Sequence, residues 1–210
     1  CNLNKKIKIK FKNISHIFHL AGSVGVNNIN KNAYGSFFNN IISLKNIIDT
    51  LRNKKKIKII LFSTSEVYST IIDEKKVKFP IKESNNVLIK NDIIKRDAYF
   101  LSKIFNEKIL QLSNLNYLIL RPHNIYGPRM GFSHVIPELI LRMTKSKKKQ
   151  NKKVLIFSPK HKRAFCYVED AIIQIVKLSF NTKIKNEIFN IGNMKEEISM
   201  MNLAKKIKRL

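Results

Sequence analysis

An α/β fold built on a doubly wound parallel sheet is predicted by two features of this sequence. Short apolar runs alternate with segments of helical spacing, at 14–20, 34–51, 57–62, 97–113 and 116–120, the pattern of successive strand and helix units. The run Ile57-Lys58-Ile59-Ile60-Leu61-Phe62 is followed at once by Ser63-Thr64-Ser65-Glu66-Val67-Tyr68. Open α/β sheets place their chemistry where strands end, so hydroxyls and a carboxylate at that point mark a candidate site.

Residues 7–11 alternate weakly and are expected to form a short strand. The next strand, 14–20, ends in Ala21-Gly22-Ser23-Val24-Gly25, where small side chains let a ligand approach the backbone. Residues 34–51 carry Phe37, Phe38, Ile41, Leu44, Ile47, Ile48 and Leu51 at helical spacing. A solvated turn at 52–56 feeds the strand 57–62. The charged stretch 71–95, with Pro80 in its middle, reads as a surface loop placed to cover the site. A helix at 97–113 and a strand at 116–120 follow, and then an irregular segment at 121–131, where Pro122, Gly127, Pro128 and Gly131 exclude a helix. Residues 135–143 are helical and run into a basic connection at 145–153. Short strands are expected at 154–157 and 164–168. Glu169 and Asp170 suit the start of a helix reaching residue 180. A strand at 187–191 and a helix from residue 201 complete the pattern.

The helix at 97–113 opens with Asp97-Ala98-Tyr99-Phe100-Leu101-Ser102-Lys103. Residues four apart share a helix face, so Tyr99 and Lys103 lie side by side. A phenol near pKa ~10 is a poor base, but a neighbouring ammonium favours the phenolate and brings it toward the working range. With 34 lysines and six tyrosines in 210 residues, about one Tyr-x-x-x-Lys arises by chance, so its place after the hydroxyl cluster is what gives it weight.

Composition narrows the function classes. A hydrophobic content of 44% supports a substantial core, and no apolar run reaches the length of a membrane span. A soluble, cytoplasmic protein is expected. Cys1 and Cys166 form neither a disulfide framework nor a zinc spacing, and the five histidines have no ligand pattern, so no metal is expected. The net charge of +27 rests on 34 Lys against 7 Arg and accompanies heavy use of Asn and Ile. That is what an AT-rich coding sequence supplies. Aromatics interleaved with Arg, as single-strand binders need, are not apparent, so no specific nucleic-acid partner is expected.

Seven motifs then occur in order: His19-Leu20-Ala21; Asn40 with Asn46; Ser63-Thr64-Ser65-Glu66-Val67-Tyr68; Tyr99-x-x-Ser102-Lys103; Arg121-x-x-Asn124-x-Tyr126-Gly127-Pro128; Arg163-x-Phe165-x-Tyr167-Val168-x-Asp170; and Phe189-Asn190-Ile191-Gly192. From about residue 14 onward the chain resembles the NAD-dependent epimerase/dehydratase family, extended short-chain dehydrogenase/reductases that act on nucleotide sugars. The resemblance implies a Rossmann-type sheet holding NAD over 1–130, and over 131–210 a small C-terminal lobe, mainly substrate-binding, that sends segments back to the first domain. It implies Tyr99 as the base that takes a sugar hydroxyl proton, Lys103 as its partner on the nicotinamide ribose, and Thr64 as a hydrogen-bond donor to the same oxygen. Ala21, Gly22, Asn40, Pro122 and His123 match cofactor positions. Asn124, Phe157 and Arg163 match contacts to a nucleotide-diphosphate sugar, although Ser158-Pro159-Lys160 replaces the family's glycine-rich turn beside Phe157. A homodimer is implied for the full-length enzyme.

Glu66 bears on the reaction. Once a 4-keto sugar has formed, a carboxylate beside the ring suits removal of the C5 proton and loss of water. Thr64-Ser65-Glu66 resembles the GDP-mannose dehydratases and equally the UDP-glucuronate decarboxylases, and Arg163-Ala164-Phe165-Cys166-Tyr167-Val168 leans toward the latter; a carboxylate that merely caps the next turn is the plain alternative. A 4-epimerase needs only Tyr99 and Thr64. The family's first strand, glycine-rich turn and following helix have no counterpart here, so the chain is expected to be part of a longer enzyme and inactive by itself. A basic nucleic-acid-binding protein and an inactive Rossmann relic are the competing classes.

Overall fold

The computed structural model describes residues 2–5, 7, 12–148, 153–194 and 197–209. The strand expected at 7–11 lies, apart from Ile7, outside the described residues, as do 149–152 of the basic connection. In chain order the elements are β1 (His16–His19), α1 (Val26–Lys31), α2 (Ala33–Leu51), β2 (Lys58–Phe62), α3 (Ser69–Asp73), α4 (Asp97–Gln111), β3 (Asn116–Pro122) and β4 (Ile125–Tyr126). They continue with α5 (Val135–Lys148), β5 (Lys162–Ala164), β6 (Cys166–Tyr167), α6 (Val168–Phe180), β7 (Glu187–Ile191), β8 (Glu197–Ser199) and α7 (Met200–Arg209).

Two units divide the chain, the first made of Cys1–Pro122 and Ile175–Ile191. It holds a four-stranded, wholly parallel sheet in the order β1-β2-β3-β7, with Ile17 opposite Ile59, Ile59 opposite Tyr117, and Ile119 opposite Ile188. The strands expected at 14–20, 57–62 and 116–120 are thus parallel neighbours. Alternate residues explain the two-sided burial. Ile59, Leu61, Tyr117 and Ile119 pack with Leu44, Ile47 and Leu51 of α2 and Leu110 of α4. Ile60, Leu118 and Leu120, with the opposite parity, are also fully buried. Each such side chain contributes roughly 1.5–3 kcal/mol by leaving water. Phe180, at the end of α6, lies 4.6 Å from the ring of His16 and 6.3 Å from that of Phe18. From the same face, Lys58 donates to the carbonyls of Ser179 and Asn181 at 3.1 Å. A lysine there satisfies the acceptors that a helix leaves at its C-terminus.

The second unit comprises His123–Gln174 and Gly192–Leu210. Leu139 of α5 packs with Met200, Leu203 and Ala204 of α7, and Ile156, Phe165 and Ile198 close the cluster. Its strands are short: β4 pairs in parallel with β6, and β5 pairs antiparallel with β8.

Several local expectations change. Residues 154–157 form no strand, and the Leu155 carbonyl instead accepts from the Arg142 guanidinium at 2.6 Å. The run 164–168 is divided among three elements, because Lys162–Ala164 pairs with β8, Cys166–Tyr167 with β4, and Val168 already begins α6. The stretch 71–95 begins inside α3, and Val77, Ile81, Val87 and Leu88 pack on the cluster of Val67, Tyr68, Ile71, Phe100, Leu101 and Ile104. It is held by apolar burial as well as by its ends. Among the described residues no helix is long and apolar enough to cross a membrane.

Candidate active site

The site grows from the carboxyl end of β2. Beyond Phe62 the chain stays extended through Ser63, whose amide donates to the Leu120 carbonyl, and Thr64 then caps a 3-10 turn over Ser65–Tyr68 by accepting from the Glu66 amide at 3.2 Å. That cap buries Thr64 and leaves Glu66 exposed. The buried face of α4 includes Lys103 and Glu107, and Tyr99, half-buried, stands one turn before Lys103. The Thr64 hydroxyl and the Glu66 carboxylate both lie near enough to Tyr99 to act on its phenol.

The electrostatics differ from the sequence expectation. Burial pushes the Tyr99 phenol above its ordinary range, the Glu66 carboxylate pushes the same way, and the neighbouring Thr64 hydroxyl opposes them. The Lys103 ammonium lies 5.7 Å from the Tyr99 ring centre and donates to the Phe62 carbonyl at 2.8 Å. It is 4% exposed, and burial lowers its pKa to about 8. Among the described residues no carboxylate pairs with it.

At the end of β1 the backbone passes close to the same lysine. A Cβ added to Gly22 would lie 3.1 Å from Asn40 Oδ1 and 3.8 Å from Lys103 Nζ, so only glycine keeps that space open. Asn40 is buried, with Oδ1 accepting from the Ser23 amide and Nδ2 donating to Ser102 Oγ at 2.9 Å and to the Ser23 carbonyl. Both ends of its amide are engaged, so Asn40 fixes the turn at Ala21-Gly22-Ser23 against α4. Ala21 and Gly22 are exposed. His19, at the end of β1, is buried with Nε2 unpartnered; burial first and the Lys103 charge second bring its pKa down to about 4.

A buried ion pair, absent from the sequence reading, lies deeper on the same face of α4. Glu107 accepts from Arg121 Nε at 2.9 Å and Nη2 at 2.6 Å, and from Ser63 Oγ. Arg121 Nη1 donates to the Tyr68 hydroxyl at 2.6 Å, and Tyr68 donates to Asn190 Oδ1 at 3.0 Å. The Asn190 amide donates to Glu83 Oε1 and its Nδ2 to the Ile81 carbonyl, pinning the middle of the stretch 71–95 to β7. The available signal was spacing: Tyr99, Lys103 and Glu107 recur every four residues on one helix face.

The remaining sequence candidates stand on other segments. Pro122 closes β3, half-buried. In the second unit, a Cβ on Gly192 would lie 3.1 Å from the Cβ of His123. Asn124 donates to the Ala164 carbonyl at 2.9 Å, and its own carbonyl accepts from the Cys166 amide. Arg163 is half-buried on β5, opposite Ile198. Phe157 is 63% exposed, with the Arg142 guanidinium 4.8 Å from its ring centre. Thr64, Glu66, Tyr99, Lys103 and Gly22 are therefore gathered within the first unit, while Asn124, Phe157 and Arg163 occupy separate places in the second. Among the described residues no three His, Cys, Asp or Glu side chains gather as metal ligands.

Comparison with known proteins gives a consistent picture. A model of the family described as NAD dependent epimerase/dehydratase matches residues 2–192. A dTDP-D-glucose 4,6-dehydratase of Dictyostelium discoideum is 31% identical over 201 residues, spanning 92% of this chain and 44% of its own length. A UDP-N-acetyl-alpha-D-glucosaminuronate decarboxylase of Bacillus cytotoxicus is 30% identical over 201 residues, spanning 92% of this chain and 58% of its own. The crystal structure of a UDP-glucose 4-epimerase of Thermotoga maritima with UDP-glucose superposes with a TM-score of 0.74 at 24% identity, over 93% of this chain and 60% of that one. The chain spans about half the length of the curated relatives it matches.

Proposed function

The chain belongs to the NAD dependent epimerase/dehydratase family, and from this premise we propose that it carries the chemistry of an NAD-dependent nucleotide-sugar epimerase, dehydratase or decarboxylase. The observation that carries the reading is that the Thr64 hydroxyl lies beside Tyr99, with the buried Lys103 on the next helical turn 5.7 Å from the Tyr99 ring centre. In this reading Tyr99 takes the proton of the sugar C4 hydroxyl, and Thr64 donates to the oxygen on which charge develops.

The residues at the end of β1 suit a dinucleotide. Gly22 leaves backbone free for close approach, and the Lys103 ammonium, with one backbone acceptor in the structure, keeps donors for ribose hydroxyls. Bound NAD supplies the hydride acceptor and, when oxidised, a positive charge that favours the Tyr99 phenolate. Lys103, 5.7 Å from the Tyr99 ring centre, is assigned to the nicotinamide ribose as the partner of Tyr99. We assign Ala21, Gly22, Asn40, Pro122 and His123 to the cofactor side, Asn40 through its hold on Ser23. Arg163 is assigned to the diphosphate, Asn124 to the sugar nucleotide and Phe157 to the base.

Glu66 favours elimination over simple epimerisation, because an exposed carboxylate close to Tyr99 is placed to take a carbon-bound proton next to a new ketone. A homodimer in the cytoplasm, without a specific nucleic-acid partner, belongs to the same proposal, and sedimentation of the full chain tests the dimer. The decisive assay incubates the full chain and NAD with GDP-mannose, UDP-glucuronate or dTDP-glucose and follows the 4-keto product. At least one should react, and Glu66→Gln should let the ketone accumulate. Unaltered reduction of NAD by Tyr99→Phe would remove the basis of this reading.

A further inference from the structure

Tyr99 stands on a helix and Thr64 on a turn 35 positions earlier, so bringing their side chains together needs a third element that fixes one against the other. Lys103 contributes one tie, from α4 to the Phe62 carbonyl. The stronger tie is Glu107, 1% exposed, which accepts from Ser63 Oγ on the residue beside Thr64 and receives both Nε and Nη2 of Arg121 from the end of β3. A carboxylate bonded to a guanidinium by two parallel hydrogen bonds has its plane and position set. Ser63 is locked to that carboxylate by its side chain and to the Leu120 carbonyl by its amide at 2.8 Å. The residue that leads into Thr64 and the turn is thereby held by α4 and β3 at once.

We propose that the Ser63–Glu107–Arg121 cluster is the positioning device of the site, setting the Thr64 hydroxyl against Tyr99, with Glu107 as its centre and Ser63 as the link that reaches Thr64. The proposal rests on the reading of Tyr99 and Thr64 as a functional pair. Burial alone does not account for it: a hydrophobic side chain at 107 would fill the space, whereas a buried carboxylate is costly unless several donors meet it, and the donors here come from the two strand ends nearest the site. The cluster also reaches outward, since Arg121 Nη1 contacts Tyr68 and the Glu83 carbonyl.

The test uses Ser63→Ala, which removes one link and leaves the Glu107–Arg121 pair intact, so the full chain should still fold. Its first readout needs no substrate. Tyr99 ionisation is followed by tyrosinate absorbance, with Tyr99→Phe subtracted; Glu66 and Lys103 are the charged groups facing the phenol and are unchanged. Because a hydroxyl turned toward the phenol oxygen favours its ionised form, Ser63→Ala should move the titration to higher pH, Thr64→Val at least as far, and the double variant no further than Thr64→Val alone. In turnover with the sugar nucleotide that reacts, Ser63→Ala should lower kcat roughly tenfold and leave KM within about twofold, and in the Thr64→Val background it should cost under about twofold. An unmoved titration, or full additivity with Thr64→Val, overturns the proposal. Failure of the functional reading gives a different result: Tyr99→Phe would keep its activity while the coupled titrations of Ser63 and Thr64 variants persisted.

Discussion

The end of the parallel sheet and the small second unit hold their candidate residues in different ways. Thr64, Lys103, Asn40 and Glu107 are each under 9% exposed, and Lys103, Asn40 and Glu107 are each tied to another element by hydrogen bonds. Phe157 is 63% exposed, and Arg163 and Asn124 stand half-buried on or beside strands of two or three residues. A buried residue of a sheet and helix layer cannot move without disturbing the core, which suits groups that must meet to within a fraction of an ångström. Residues on short strands are fixed by a few backbone bonds and can vary without unfolding the sheet. The comparison teaches that rate and stability should be sensitive at the first place, and affinity at the second.

The largest effect expected is on turnover. In the full chain, Tyr99→Phe should lower the single-turnover rate of NAD reduction by ~10²- to 10⁴-fold while nucleotide-sugar affinity is kept, because the ring and its packing remain and only the proton acceptor goes. Loss of affinity in place of rate would erase the contrast. Next comes stability: Glu107→Ala should cost about 3–5 kcal/mol in urea unfolding, since it leaves the buried Arg121 charge uncompensated. A cost below about 1 kcal/mol would mean that the cluster is not fixed as described.

Acid should act on the sheet end and spare the second unit. The folded chain keeps His19 neutral down to about pH 4, whereas the unfolded chain takes up its proton near 6.5. Between those values the unfolded state binds more protons, so stability is fully present above 6.5 and falls as pH drops toward 4, by at most about 3 kcal/mol. Denaturation midpoints across that window, compared with those of His19→Phe, isolate the effect; equal slopes in the two proteins would refute it. The smallest effect is expected at Phe157→Ala, which should change stability by under about 0.5 kcal/mol, as exposed positions do, and raise KM for the nucleotide sugar. A larger loss of stability would show that Phe157 serves the core of its unit.

Periodicity and strand-end chemistry carried the reading where the chain is buried on both sides. The alternation of apolar runs located β1, β2, β3 and β7, because a strand buried on both faces has few residue types to choose from. Reading failed where elements are short. The helix Val26–Lys31 has one buried residue, Ile29, and so no apolar stripe; β8 has three residues, and 154–157 is apolar without a partner strand. A segment of three or four residues is decided by what lies beside it, and that information is not local.

What the sequence by itself determined is the parallel α/β sheet, the place of Thr64, Glu66, Tyr99 and Lys103 relative to strand and helix ends, and the family resemblance that their order carries. Tertiary structure alone decided the electrostatics: Tyr99 is raised rather than lowered, Lys103 and His19 are depressed, and Asn40 faces inward. It also brought Glu107, Arg121 and Ser63 together from three separate elements. The physical reason is that periodicity follows from the chain's own geometry, whereas desolvation and ion pairing depend on which distant groups share a low-dielectric space, a property of the packed chain and not of any stretch of it.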